Sequence, residues 1–221
     1  MGLIYATAYG AYKMHSRLRM GSEPFTLARA YLYHNPVKKS YKLTDLEILQ
    51  TFESLQTDVS RIAAASLWAE IAIRSFAAGE VSDRLFRLFL ACLRELESSG
   101  ERGLIYVTLQ FLWRFLSMAG YQPDISACDS CGAAFTDTSA AIYDHRSNSF
   151  LCDDCGRNMG ARLPAGARRY LEASIALPLD RAAALRLEGS SMKALRETLL
   201  RMVQGVLEVE LASVRFIGTA S

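Results

Sequence analysis

The sequence predicts an α+β protein that is mainly α, with a short basic β portion leading into a helical body that carries a zinc module. Three observations predict it. Aromatic and β-branched residues punctuated by Gly and Pro fill residues 3–52. From Asp58 onward the apolar residues recur at spacings of three and four. Two CxxC pairs, Cys128/Cys131 and Cys152/Cys155, interrupt the helical part.

Residues 3–12, with Tyr5, Tyr9 and Gly10, read as a first strand, and Phe25 to Tyr33 as a second. His34-Asn35-Pro36 breaks that pattern, and a basic turn at Lys38-Lys39-Ser40 follows. Residues 41–52 read as a third strand, with Leu43, Leu46, Ile48 and Leu49 apolar. Thr44 and Glu47 also match a capping box, so a helix there stays open. Asp58 is the expected N-cap of a helix carrying Ile62, Ala65, Ala69, Ala72 and Ile73, ending before Gly79. Ser82 caps the next, with Leu85, Phe89, Cys92, Leu93 and Leu96 as its stripe. From about Arg102 to Ala119 the chain is apolar around most of a helical circumference, which predicts the central buried helix, ended by Gly120 and Pro123. The cysteine module occupies about 124–160. A short helix at 165–175 and a long one over 191–211, with Leu195, Leu199, Met202, Val203, Val206 and Leu207 facing the core, complete the chain.

The 221 residues suffice for one large domain or two small ones. The net charge of +2 says little, but its distribution says more. Residues 1–43 carry seven basic residues and one acid, while the remainder carries 18 bases and 22 acids. A basic front on a slightly acidic body suggests a polyanionic partner, although a solvated basic face would look the same. No stretch approaches the ~18 uncharged apolar residues of a membrane span. The longest apolar stretches are interrupted by Glu70 and Arg114. There is no charged-then-apolar leader, so an intracellular protein is expected.

In that setting paired CxxC motifs point to metal, with redox dithiols or two disulfides as the alternatives. Each pair presents two sulfurs from one tight turn, and the 20 residues between them read as a hairpin carrying the second turn. Four thiolates complete a tetrahedron and leave no open position, so the expected Zn2+ is structural. His145, between the pairs, reads as a surface or hairpin residue, and Cys92 as a core residue.

The candidate nucleic-acid-binding residues are Lys13, Arg17, Arg19, Arg29, Lys38, Lys39 and Lys42, interleaved with Tyr5, Tyr9, Tyr12, Tyr31, Tyr33 and Tyr41. Aromatics on strands beside basic loops hold single-stranded nucleic acid by stacking and phosphate neutralisation. Equally, alternate tyrosines would serve as barrel core beside a soluble edge. The histidines His15, His34 and His145 are scattered, and there is no GxxxxGK[ST], GxGxxG or HExxH. A binding protein without catalytic residues is expected.

The order of features resembles the RecO family of bacterial recombination mediators. Ser16-Arg-Leu-Arg with Glu23-Pro-Phe-Thr-Leu27 is similar to the segment entering its late barrel strands. Leu43-Thr-Asp-Leu-Glu-Ile-Leu-Gln-Thr-Phe52, then Leu55 and Asp58, resembles its last barrel strand and first helix entry. Tyr121-Gln-Pro before Cys128-x-x-Cys131-Gly132 resembles the zinc entry of metal-binding members, and Leu211-Ala-Ser-Val-Arg-Phe-Ile217 the closing segment. The resemblance implies a truncated OB-fold-like DNA-binding portion over 1–53 and a helical domain over 54–221. Against the family's five-strand barrel the chain would begin at about the third strand, so roughly 25–30 residues of that plan are expected to be missing. It further implies a non-catalytic, cytoplasmic, nucleoid-associated protein. Such a protein binds single- and double-stranded DNA and anneals complementary strands. It acts with RecR so that RecA replaces single-strand-binding protein, whose C-terminal tail it contacts. A protein–protein adaptor with an incidental basic strip is the rival reading. A zinc-ribbon reader is disfavoured, because Asp124, Asp129, Asp137, Asp144, Asp153 and Asp154 outnumber Arg146 and Arg157 in the module.

Overall fold

A computed structural model describes residues 3–11, 13, 17–21, 23–77, 82–100, 103–157 and 159–217. The chain begins with β1 (Ala6–Thr7), α1 (Arg17–Gly21), β2 (Leu27–Asn35) and β3 (Ser40–Gln50). These strands form a sheet of order β1-β3-β2, with β1 parallel and β2 antiparallel to β3. Closure into an OB barrel is not seen among the described residues. The first strand is far shorter than the 3–12 expected, because successive turns follow it: Ala11 N donates to Ala8 O and Lys13 N to Gly10 O. Tyr12 and His15 lie outside the described residues.

The second strand runs through His34 and Asn35, and the break falls at Pro36. Asn35 Oδ1 accepts from the amides of Val37 and Lys38 at 3.0 Å, which folds the turn after the strand. The strand starts only after Phe25, whose φ of 63° is incompatible with extended backbone. Residues 40–50 are strand, so the capping-box alternative falls. Its origin is visible in the register. Tyr31 pairs with Asp45 and Leu32 with Leu43, leaving Thr44 as an extra residue whose hydroxyl donates to Tyr31 O at 2.8 Å. This bulge shifts the alternation by one, so Leu43 and Leu46, at helical spacing, share a face.

The helical body follows: α2 (Glu53–Thr57), α3 (Val59–Ala77), α4 (Ser82–Ser98) and α5 (Gly103–Met118). Asp58 caps α3 as expected, accepting from Ser60 N at 2.8 Å and Arg61 N at 3.3 Å. Gly79 and Arg102 lie outside the described residues. α5 is the central helix, with ten residues between Tyr106 and Leu116 buried. Gly120 ends it: Tyr121 N bonds Leu116 O and Gly120 N bonds Ser117 O, the paired bonds of a Schellman motif. Trp68 stacks on Phe111 at 5.4 Å, and Cys92 is fully buried, as its stripe position predicted.

The cysteine module contains β4 (Ala141–Asp144), β5 (Ser149–Leu151) and β6 (Ala161–Leu163) in a sheet of order β5-β4-β6. The β4–β5 hairpin matches expectation, with His145 exposed in its turn. Then come α6 (Ala165–Ile175), α7 (Leu179–Ala184), α8 (Gly189–Leu207) and α9 (Val214–Ile217). The short α7, opened by Pro178, was not anticipated, its six residues being too few for a periodic signal. α8 stops at Leu207 rather than 211, because Glu208 takes φ 53° and closes the helix onto Gln204 O. Leu211 is buried separately. The following turn is held by Glu70 of α3, whose carboxylate accepts from Ala212 N at 3.0 Å and Ser213 N at 2.9 Å. Among the described residues no helix is long and apolar enough to cross a membrane.

Candidate metal centre and cationic sheet face

Two turns deliver the four cysteines. In the first, Cys128 N bonds Ala133 O and Gly132 N bonds Cys128 O, each at 2.8 Å, while Asp129 N ties the turn to Phe150 O of β5. In the second, Gly156 N bonds Cys152 O at 2.8 Å. The glycine after each pair has a different reason. Gly132 has φ 72°, which L side chains rarely adopt. Gly156 instead packs so closely on β4 that a Cβ would come within 2.9 Å of Ile142 Cβ.

The four Sγ atoms lie within 4.8 Å of one another. Cys131 Sγ and Cys152 Sγ are 3.9 Å apart, against an S···S edge of about 3.8 Å for a tetrahedron with metal–sulfur bonds near 2.3 Å. A disulfide needs about 2.05 Å, and all four cysteines are unbridged. The residues therefore fit a four-thiolate metal site. Burial would raise Cys128, but hydrogen bonds from the backbone of Cys152, Cys131 and Ser130 outweigh it and hold it at about 6. Cys155 is pushed up to about 12, chiefly by its hydrogen bond to the Cys152 sulfur.

Sequence reasoning missed how this module is fastened. Arg168 of α6 is buried, and its guanidinium donates to the carbonyls of Thr136 (2.6 Å), Ser139 (3.3 Å) and Ile125 (3.4 Å). It also meets Glu172 at 3.1 Å and lies over the Phe135 ring. The only sequence signal was a basic residue in the run Ala165–Tyr170, indistinguishable from a solvated one.

The candidate basic residues are spread over the sheet and its flank. Lys38 and Lys39 are exposed in the β2–β3 turn, and Lys42 is exposed on β3, opposite Tyr33. Lys42 Nζ lies 5.5 Å from the Tyr9 ring centre. Tyr5, Tyr9, Tyr31 and Tyr33 are 79%, 71%, 48% and 57% exposed. Arg29, Tyr31 and Tyr33 alternate along one face of β2. The opposite face carries the His34–Tyr41 ring contact at 4.8 Å, and α1 lies against Leu46 there through Gly21. The tyrosines 5, 9, 31 and 33 are therefore surface rather than core.

Arg29 opposes Glu47 and pairs with it. Tyr31 first and Glu47 second raise its pKa, so it stays cationic but locally compensated. Lys42 sits five residues from Glu47, about 17 Å along the strand. Arg19, on α1, lines a separate cavity of about 640 Å³ with Glu23, Phe25, Glu53 and Leu55. Lys13 is exposed after the β1 turns. The Arg17 side chain lies outside what is described.

Comparisons with known proteins extend over nearly the whole chain. A family profile described as "Recombination protein O C terminal" matches residues 56–215. The DNA repair protein RecO of Roseiflexus sp. (strain RS-1) is 30% identical over 98% of this chain and 76% of its own length. The DNA repair protein RecO of Acetivibrio thermocellus is 26% identical over 99% of this chain and 86% of its own. That of Syntrophobacter fumaroxidans is 27% identical over 99% and 87%.

Proposed function

This chain belongs to the RecO family of DNA repair proteins, and from that premise we propose that it is a non-enzymatic recombination mediator that binds single-stranded DNA on its N-terminal sheet. The observation carrying this reading is the juxtaposition of Tyr9, Tyr33 and Lys42 beside the Lys38–Lys39 turn. Unpaired bases have π-faces that stack on exposed tyrosines, at ~1–3 kcal/mol per base, while lysines neutralise the adjoining phosphates. Once those charges are neutralised, a second complementary strand approaches without the full phosphate repulsion, which is the physical requirement for annealing. Lys38, Lys39 and Lys42 are the strongest of the seven basic candidates. Arg29 is the weakest, because Glu47 already compensates it.

In this reading residues 1–53 form the OB-fold-like DNA-binding portion and 54–221 the helical domain. The thiolates of Cys128, Cys131, Cys152 and Cys155 hold Zn2+ as a structural clip. The metal supplies cross-linking of two turns, and the protein residues supply its closed coordination. The double-stranded DNA, RecR, the single-strand-binding protein tail and, indirectly, the RecA filament are the partners family membership suggests, in a cytoplasmic setting. Fluorescence anisotropy with labelled single-stranded DNA, titrated with salt, tests the central claim. Binding that weakens steeply with salt is expected. A folded, metal-loaded chain that binds no DNA at low salt would favour an adaptor role.

A further inference from the structure

A second feature lies away from both the sheet and the cysteines. The first turns of α6 and α8 converge on a cavity of about 540 Å³, lined by Gly166, Arg169, Arg186, Glu188 and Ser191 among others. Pro164 and Glu188, at the two N-caps, make no side-chain capping bond. The first intrahelical bonds are Arg168 N to Pro164 O and Met192 N to Glu188 O. The amides of 165–167 and 189–191 are thus left without intrahelical acceptors. Each helix start carries roughly half a positive charge.

Ser191 provides an independent pointer to a ligand. It is only 6% exposed, yet among the described residues its hydroxyl has no hydrogen-bond partner. Its Oγ faces the first turn of α6, 3.6 Å from where a Cβ on Gly166 would stand. Ser191 lines the cavity, and its hydroxyl is open to a ligand there rather than sealed in the core. Arg169 is exposed and, among the described residues, has no carboxylate partner. Arg186 lies 4.9 Å over the Tyr106 ring, with Nη1 donating to the carbonyls at the end of α7. Its other guanidinium nitrogens are uncommitted. Among the described residues Glu188 is the single acid lining the cavity, and its side chain is exposed.

We propose that this cavity binds a phosphate monoester or inorganic phosphate, the natural sources being free phosphate or the terminal phosphate of a DNA strand. Two helix starts, two arginines and a hydroxyl opening onto the cavity suit a compact tetrahedral oxyanion. A monoester carries about −1.5 to −2 at neutral pH and protrudes far enough to enter a recess. The phosphodiesters of a continuous backbone are singly charged and flanked on both sides. The inference does not depend on the sheet binding DNA.

Calorimetric titration of the full chain with inorganic phosphate, at constant ionic strength against chloride, tests it. Saturable binding is expected, weakened about tenfold in Arg169→Ala, which removes a charge-assisted contact, and several-fold in Ser191→Ala. Both variants should melt like the parent without phosphate. The same oligonucleotide with and without a 5′-phosphate then separates the sources. Preference for the phosphorylated strand, lost in Arg169→Ala, identifies a strand end. Equal binding of both strands with phosphate affinity retained identifies free phosphate. No saturable phosphate binding, or binding indifferent to both substitutions, overturns the proposal. Unphosphorylated strand binding should be unchanged in Arg169→Ala, so failure here is distinct from failure of the sheet reading.

Discussion

Arg168 donates a 2.6 Å hydrogen bond to the carbonyl of Thr136 and thereby ties α6 to the loop that follows the first cysteine turn. Its side chain is 2% exposed, whereas its ion-pair partner Glu172 is 53% exposed. The two ends of this contact should behave very differently. Arg168→Met would leave the carbonyls of Ile125, Thr136 and Ser139 short of a donor. The expected cost is about 3 kcal/mol by urea denaturation. Glu172→Gln, which removes an exposed charge, should cost less than about 1 kcal/mol. Equal effects would mean that the ion pair, not the carbonyl clamp, holds the module.

Metal content should follow the thiolate count. Elemental analysis is expected to find one zinc per chain, lost on acidification, since thiolates must be deprotonated to ligate. Cys152→Ser should abolish stoichiometric metal and lower the melting temperature before it alters DNA binding. Loss of binding in a variant that stays folded would move the cysteine module into the DNA interface.

The sheet should report its charges through salt dependence. Lys38→Glu with Lys39→Glu is expected to weaken single-strand binding. It should flatten the log–log salt slope by about 1.4 or more, at ~0.7 per phosphate contact on single strands. Tyr33→Ala should cost ~1–3 kcal/mol if a base stacks there. Arg29→Ala should change affinity less than about twofold, because Glu47 already offsets the charge. An Arg29→Ala loss matching that of the lysine pair would relocate the interface toward the sheet base.

Glu70 links the chain end to the body in a pH-dependent way. Burial would raise its pKa, but the Ser213 and Ala212 amides, with Arg74, outweigh it and hold the carboxyl below its ordinary value. A depressed folded pKa contributes stability that is full above the unfolded value, near 4.3, and is lost as pH falls through the lower folded value. Glu70→Gln should therefore reduce the loss of stability on acidification below about pH 4.3. At neutral pH the cost should stay under about 1 kcal/mol, given the partial exposure. An unchanged acid limb in the variant would show that other carboxylates govern that range.

Much of this molecule was legible before any fold was known. The stripe through α3 to α5, the Asp58 cap, the buried Cys92 and the CxxC pairs are local signals, set by helical periodicity and ligand spacing. They need only a few neighbouring residues to be read. Residues 41–52 read as a strand and 40–50 form one, while the helical alternative there had a non-local origin. The 43–49 segment carried a helical spacing because Thr44 is a bulge, and a bulge is defined only by the partner strand. Residues 3–12 carried strand composition, but successive turns leave only Ala6–Thr7 paired among the described residues.

The sequence alone determined which residues could serve as metal ligands and which could carry positive charge. Only the tertiary structure decided which of those charges act together. Pairing across the strands spends Arg29 on Glu47 and sets Lys42 beside Tyr9 and Tyr33. Packing of α6 buries Arg168 while leaving its neighbour Arg169 exposed at a cavity. Two adjacent arginines of the same type thus take opposite roles. Burial and partnership are properties of distant segments brought together, and no window of neighbouring residues contains them.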